Sequence, residues 1–254
     1  MKTLASHGFV VVAYESCPID SRCHNGEIQF IEALKTIAYL ENNRKTLPIQ
    51  FQQPYSASGH STGARAVLML AACRDNPLYL KHVQFINVTQ SDRNVLTRIH
   101  AVVGDHPDPM IDPAQNPDIH AYNITKTPTM LVTGTLDVRP IGEPSLSGWQ
   151  DFVMMPSLRH RVFLNVRNAT HLSPIFTHPE ADYIAYFCQY HALRNTTAGS
   201  LIYDDKTVHS LAKQSFVSRS VGARNNGGSK KEVGFVACSD VKKGIPVEIA
   251  EKYC

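Results

Sequence analysis

Gly59-His60-Ser61-Thr62-Gly63 matches the pattern G-x-S-x-G. A serine between two glycines suits a nucleophile that must stand clear of a sheet on a sharp strand-to-helix turn. The glycines remove Cβ atoms that would clash in so tight a turn. A helix starting behind Ser61 offers backbone N–H groups to a developing oxyanion, and the N–H of Thr62 is the expected donor. The pattern alone is weak, since any flexible turn can match it. Its context is specific here: residues 55–60 read as a short strand and Ala64 to Arg74 as an Ala-, Leu- and Met-rich helix.

A serine hydroxyl needs an adjacent base, and the base needs a carboxylate to orient it. Met130-Leu-Val-Thr-Gly-Thr-Leu-Asp137 is an apolar run ending in a small turn and an acid. Phe163-Leu-Asn-Val-Arg-Asn-Ala-Thr-His171 is an apolar run ending in a loop and a histidine. Both belong at the carboxyl ends of parallel strands, where open α/β sheets gather their sites. The order Ser61, Asp137, His171 is the one expected of a G-x-S-x-G hydrolase. Competing acids are Asp105, Asp108 and Glu143, and Asp105 is the runner-up because it also follows a strand. His178 is the nearest rival to His171, but it precedes Pro179 at the start of a helix and reads as a loop residue. His60 abuts the nucleophile. Neighbouring side chains on a strand point to opposite faces, so His60 is read as a substrate-side or packing residue rather than the base. Tyr14, at the end of an apolar run, and Trp149, between the acid and the base in sequence, are two more candidates for substrate contact. Each has a plainer reading: edge burial for Tyr14, and packing of a helix on the sheet for Trp149.

Several elements must position these groups. Phe9 to Glu15 is a β-branched run expected as a strand covered on both faces. Ile28, Ile31, Leu34, Ile37 and Leu40 form a stripe that predicts an amphipathic helix over residues 26–43, with Asn25 as N-cap. Further strands are expected at His100 to Val103, Thr129 to Thr133 and Arg161 to Val166, and helices at Trp149 to Met155 and Pro179 to Leu193. Such alternation predicts an α/β fold: a mostly parallel sheet flanked by helices. Residues 1–195 read as that core and 196–254 as an irregular C-terminal extension. The polar, Gly-rich stretch 219–231 reads as a flexible linker, with the basic pair Lys230 and Lys231 solvated. Glu232 to Cys238 and Pro246 to Ile249 are expected as short strands.

Composition excludes several classes. The net charge is +3, and residues 200–254 carry nine Lys/Arg against six Asp/Glu, which leaves the core near balance. Nothing there favours nucleic acid or an anionic membrane surface. No apolar run nears the ~20 residues of a membrane span, and Phe9–Ala13 is too short for a signal-peptide core. The six cysteines form no paired CxxC units, so no zinc site is expected from them. Cys73 and Cys188 read as buried thiols, while Cys17/Cys23 and Cys238/Cys254 are each spaced to close a short loop in an oxidising compartment. Sequons at Asn87, Asn123, Asn168 and Asn195 point weakly the same way. No metal and no cofactor is implied.

Four segments, in order, resemble bacterial cutinases and the related PET-hydrolase group. Leu4-Ala-Ser-His-Gly-Phe-Val-Val-Val-Ala is similar to their fourth strand and the helix end before it; Gly59–Gly63 to their elbow; Val132-Thr-Gly-Thr-Leu-Asp137 to their acid turn; and Asn168-Ala-Thr-His-Leu-Ser173 to their base loop. The resemblance covers about residues 1–205. It implies the α/β-hydrolase fold, an ester hydrolase with Ser61, Asp137 and His171 as its triad, and a monomer acting on small-molecule, lipid or polymer esters. It also implies secretion, although this chain shows no signal peptide. Two departures follow from the same comparison. The family's first three strands, with the loop supplying a second oxyanion donor, have no counterpart, so an N-terminally truncated core is expected. The aromatic platform residue is missing from Val102-Val-Gly-Asp-His-Pro. The alternative function is therefore a weak or inactive hydrolase-like binding protein, since loss of one oxyanion donor costs about 10²–10³ in rate.

Overall fold

Strands and helices alternate along the chain as the hydrophobic pattern requires. The computed structural model describes residues 2–14, 26–47, 54–82, 89–107, 124–137, 146–153, 155, 160–176, 178–225 and 232–238. Its strands are β1 (Tyr55–His60), β2 (Ile99–Asp105), β3 (Thr129–Gly134), β4 (His160–Val166), β5 (Val217–Asn225) and β6 (Glu232–Cys238). Its α-helices are α1 (Lys2–Ser6), α2 (Gly26–Asn42), α3 (Thr62–Asp75), α4 (Gln90–Leu96), α5 (Leu146–Val153), α6 (Ser173–Phe176), α7 (Ala181–Leu193) and α8 (Thr196–Tyr203). The sheet order is β1-β2-β3-β4-β5-β6. β1 to β4 pair in parallel, and β5 and β6 add antiparallel. This is an α/β architecture with an open, mostly parallel sheet. None of the described helices is long and apolar enough to cross a membrane.

Period-two alternation along the strands sends side chains to two cores. Val102, Leu131 and Phe163 join the buried faces of α2, α3, α4 and α5 on one side. Ala101, Val103, Met130, Val132, Val162, Leu164 and Val166 join α7 and α8 on the other. Both faces of the parallel strands are covered, which is why these segments read as continuous apolar runs. α3 is buried nearly all round, from Ala64 to Cys73. On α2 the fully buried positions are Phe30, Ala33, Leu34 and Ala38, while Ile31 and Ile37 pack partly against them. The most buried positions are therefore shifted from the stripe expected, with Leu34 common to both.

Two expectations fail. Phe9 to Tyr14 forms no ladder; Val10 and Val12 are exposed, and a cavity of about 170 Å³ lies between this segment and β1. A strand needs a hydrogen-bonding partner, and none of the described strands pairs with this segment. The C-terminal region also differs. Residues 219–225, expected as part of a flexible linker, lie in β5, paired from Arg219↔Asn165 to Arg224↔His160 on β4. Ser220 and Val221 are buried there. Gly222 and the polar residues of this stretch mask a strand whose register is set by β4. Residues after 195 thus continue the same sheet, and β6 forms where a strand was expected. The rest of the linker with Lys230 and Lys231, the strand at 246–249, Glu15, Asn25, Cys17, Cys23, Cys254, Asn87 and Asn123 lie outside the described residues. Cys73 and Cys188 are free and buried. Burial pushes their thiols up to about 12 and about 11.

Candidate active site

β1 runs directly into α3 with a single residue, Ser61, between them. Its backbone sits at φ 60° and ψ −122°, a region that costs a non-glycine residue of order 1–3 kcal/mol. Three hydrogen bonds hold it. Its N–H donates to the Asp105 carbonyl at 3.0 Å, and its carbonyl accepts from Ala64 and Arg65 at 3.0 and 3.3 Å. The turn is so tight that a Cβ on Gly59 would lie 2.1 Å from the Gly63 carbonyl oxygen. The two glycines are not equivalent, however. A Cβ on Gly63 would meet only Gln29 Oε1, at 3.5 Å, an ordinary contact. Thr62 is the first residue of α3, so its N–H is one of the helix-start donors without an intrahelical acceptor.

The turn after β3 and the loop after β4 are clasped together. The N–H groups of Thr135 and Leu136 donate to the carbonyls of Val166 and Ala169 at 2.9 and 2.8 Å, and Asn168 N–H donates to Thr135 Oγ1 at 2.8 Å. Asn168 takes φ 58°, a left-handed conformation that asparagine tolerates. Gly134 makes the approach possible, since a Cβ there would lie 2.1 Å from the Ala169 carbonyl oxygen. The outcome is a hydrogen bond of 3.0 Å between His171 Nδ1 and Asp137 Oδ1. Both side chains are mostly buried, at 14% and 9% exposure. His60 ties this pair to the elbow: its Nε2–H donates to the His171 carbonyl at 2.7 Å, and the two rings lie 4.8 Å apart. The acceptor is a carbonyl, so the hydrogen bond fixes the proton on His60 Nε2. Burial, first, and the neighbouring imidazoles of His171 and His106 hold His60 below the ordinary histidine pKa, against opposing pulls from its own hydrogen bond and Asp105.

The competitors pair elsewhere. Asp105 Oδ1 binds His106 Nδ1 at 2.7 Å, and His178 Nδ1 binds Glu180 Oε1 at 3.0 Å. Asp108 and Glu143 lie outside the described residues. His106 and Glu180 were not singled out from the sequence. His106 is buried, with its ring 6.1 Å from that of His171 and its backbone at φ 48°. Burial, then the charge of Asp105, pushes the Glu180 carboxyl up. The available signal for His106 was its position one residue past a strand end, at the rim where the other groups gather. Of the expected substrate contacts, Tyr14 lines the cavity beside β1, and its hydroxyl donates to the Gln29 carbonyl at 3.0 Å. Burial and Glu32 push that phenol up to about 12. Trp149 does not reach a cleft. It is 1% exposed and packed between Phe152 and Phe163, with ring centroids 5.4 and 5.0 Å away.

The turn after β1 thus carries a serine on a strained backbone at a helix start, and the loops after β3 and β4 bring an imidazole onto a carboxylate. Groups of these types are those that general-base and oxyanion chemistry employs. Compared with known protein families and with curated proteins, the chain matches none of them.

Proposed function

We propose that the chain is a serine hydrolase of carboxylic esters, built on the α/β-hydrolase fold in the manner of the cutinases it resembles. The observation that carries this reading is the positive-φ Ser61 elbow, joined through His60 to a mostly buried His171–Asp137 pair. A non-glycine residue at this φ and ψ costs free energy, and such strain clusters at functional sites. The order of the three residues, on the turns after β1, β3 and β4, adds support.

The chemistry then runs in two halves. Ser61 Oγ attacks the ester carbonyl as His171 Nε2 takes its proton, and the Thr62 N–H faces the oxyanion. The tetrahedral intermediate collapses, His171 protonates the leaving alcohol, and the acyl group stays on Ser61. Water, deprotonated by His171, attacks the acyl-enzyme and regenerates the serine. Asp137 keeps the His171 proton on Nδ1 throughout.

A fluorophosphonate probe with p-nitrophenyl ester turnover tests the proposal. The expected result is labelling at Ser61, lost in Ser61→Ala together with turnover. Turnover falls by about 10⁴ in Asp137→Asn, the cost of an incorrectly held imidazole. Absence of labelling in the folded wild-type chain, or equal turnover by Ser61→Ala, overturns it in favour of a non-catalytic binding protein.

A further inference from the structure

We infer that Asp105, His178 and Glu180 form a binding site for a divalent transition-metal ion at the end of β2. One donor atom from each residue lies within 4.8 Å of the other two. Ligands about 2.1 Å from one ion are separated by roughly 3–4 Å, so small side-chain rotations bring all three into one coordination shell. The donor set is mixed: one imidazole nitrogen and two carboxylates. It therefore suits Zn²⁺ or Mn²⁺ better than the all-oxygen shells preferred by Ca²⁺ and Mg²⁺.

A cation bound between them would offset the cost of burying the two acids. The side chains of Asp105 and Glu180 are 9% and 2% exposed. Buried carboxylates are found paired with cations or bound to metals. Yet among the described residues no Lys or Arg lies within ion-pair distance of either; their nearest basic partners are His106 and His178. Among the described residues, Asp105 is engaged through Oδ1 alone. That arrangement is also the outer shell a bound carboxylate needs: His106 holds one oxygen and orients the side chain while the second remains available. His178, 40% exposed, gives the ion a route in from solvent.

The sequence around the site makes it economical. His178 and Glu180 lie two residues apart at the start of α7, with Glu180 as its N-cap residue, and Asp105 closes β2. An ion held by all three cross-links α7 to the sheet beside the elbow, because the Asp105 carbonyl already accepts the Ser61 N–H. Ion binding at this site does not depend on hydrolysis and is measured without substrate.

Thermal melts and calorimetric titration of the intact, chelator-treated chain with ZnCl₂ or MnCl₂ are the test. At about a hundred times Kd, one bound ion raises Tm by about 5–10 °C. His178→Ala, at an exposed position, and Glu180→Gln each reduce that rise and weaken the stoichiometric binding event by at least about tenfold, as loss of a ligand does. CaCl₂ gives a smaller shift than ZnCl₂. No ion-dependent shift in the wild-type chain overturns the site. So does a shift of equal size in both variants, which assigns the ion to others of the twelve histidines.

Discussion

The elbow predicts opposite outcomes for its two glycines. In Gly59→Ala the new Cβ starts 2.1 Å from the Gly63 carbonyl oxygen, 2.3 Å from its carbon and 2.9 Å from the Ala64 nitrogen. All three are backbone atoms, so no side chain can swing aside. Carbon–carbon contacts are optimal at about 3.5–4.0 Å, so the turn must open by more than about 1 Å. Overpacking of this kind costs about 3 kcal/mol, which lowers Tm by about 6–12 °C in a chain of this size. A displacement of about 1 Å at the reacting group also costs about 10² in rate. In Gly63→Ala the Cβ meets Gln29 Oε1 at 3.5 Å, and Gly63 has no positive φ. That position lies in the first turn of α3, where replacing glycine with alanine stabilises by about 0.4–1 kcal/mol. Paired melts of the two variants, followed by p-nitrophenyl ester turnover, measure the difference. Equal Tm values for the two variants, or a Gly59→Ala chain as stable and active as wild type, would refute the reasoning. The difference in Tm is expected whether or not Ser61 is a nucleophile.

Two further outcomes follow from burial. Trp149→Phe leaves a cavity beside Phe152 and Phe163, lowering Tm while KM for a small ester stays unchanged; a raised KM at unchanged Tm would return Trp149 to the cleft. His191 donates or accepts at 2.8 Å with the Tyr203 hydroxyl, and burial, then His160, holds its pKa well below 6.5. The unfolded chain therefore binds this proton first, so stability is full above about pH 6.5 and falls as pH drops below it. His191→Gln flattens the dependence of unfolding free energy on pH by up to about 1.4 kcal/mol per pH unit below 6.5; an unchanged slope in urea titrations rules the histidine out as its source.

Much of this site was legible in the residues themselves. β2 to β4 announce themselves as short apolar runs, because strands covered on both faces leave no polar side, whereas β1 is a small-residue run at the sheet edge. Ser61, Asp137 and His171 each follow such a run, and strand ends at one rim converge. Other features were not readable. The polar stretch at 219–225 becomes β5 only because β4 offers a free edge to pair with, which local composition does not encode. Phe9–Ala13 has the composition of a strand but pairs with none of the described strands.

The sequence by itself determined the α/β alternation, the two-sided core and the residue types placed at the strand ends, since each depends on local periodicity and chain order. Only the tertiary structure decided that Gly59 and Gly134 are required while Gly63 is not, that Trp149 belongs to the core, and that Asp105, His178 and Glu180 meet. Those are distances between segments far apart in the chain. They are set by how β1 to β4 stack and how α7 docks, and no short-range pattern carries them.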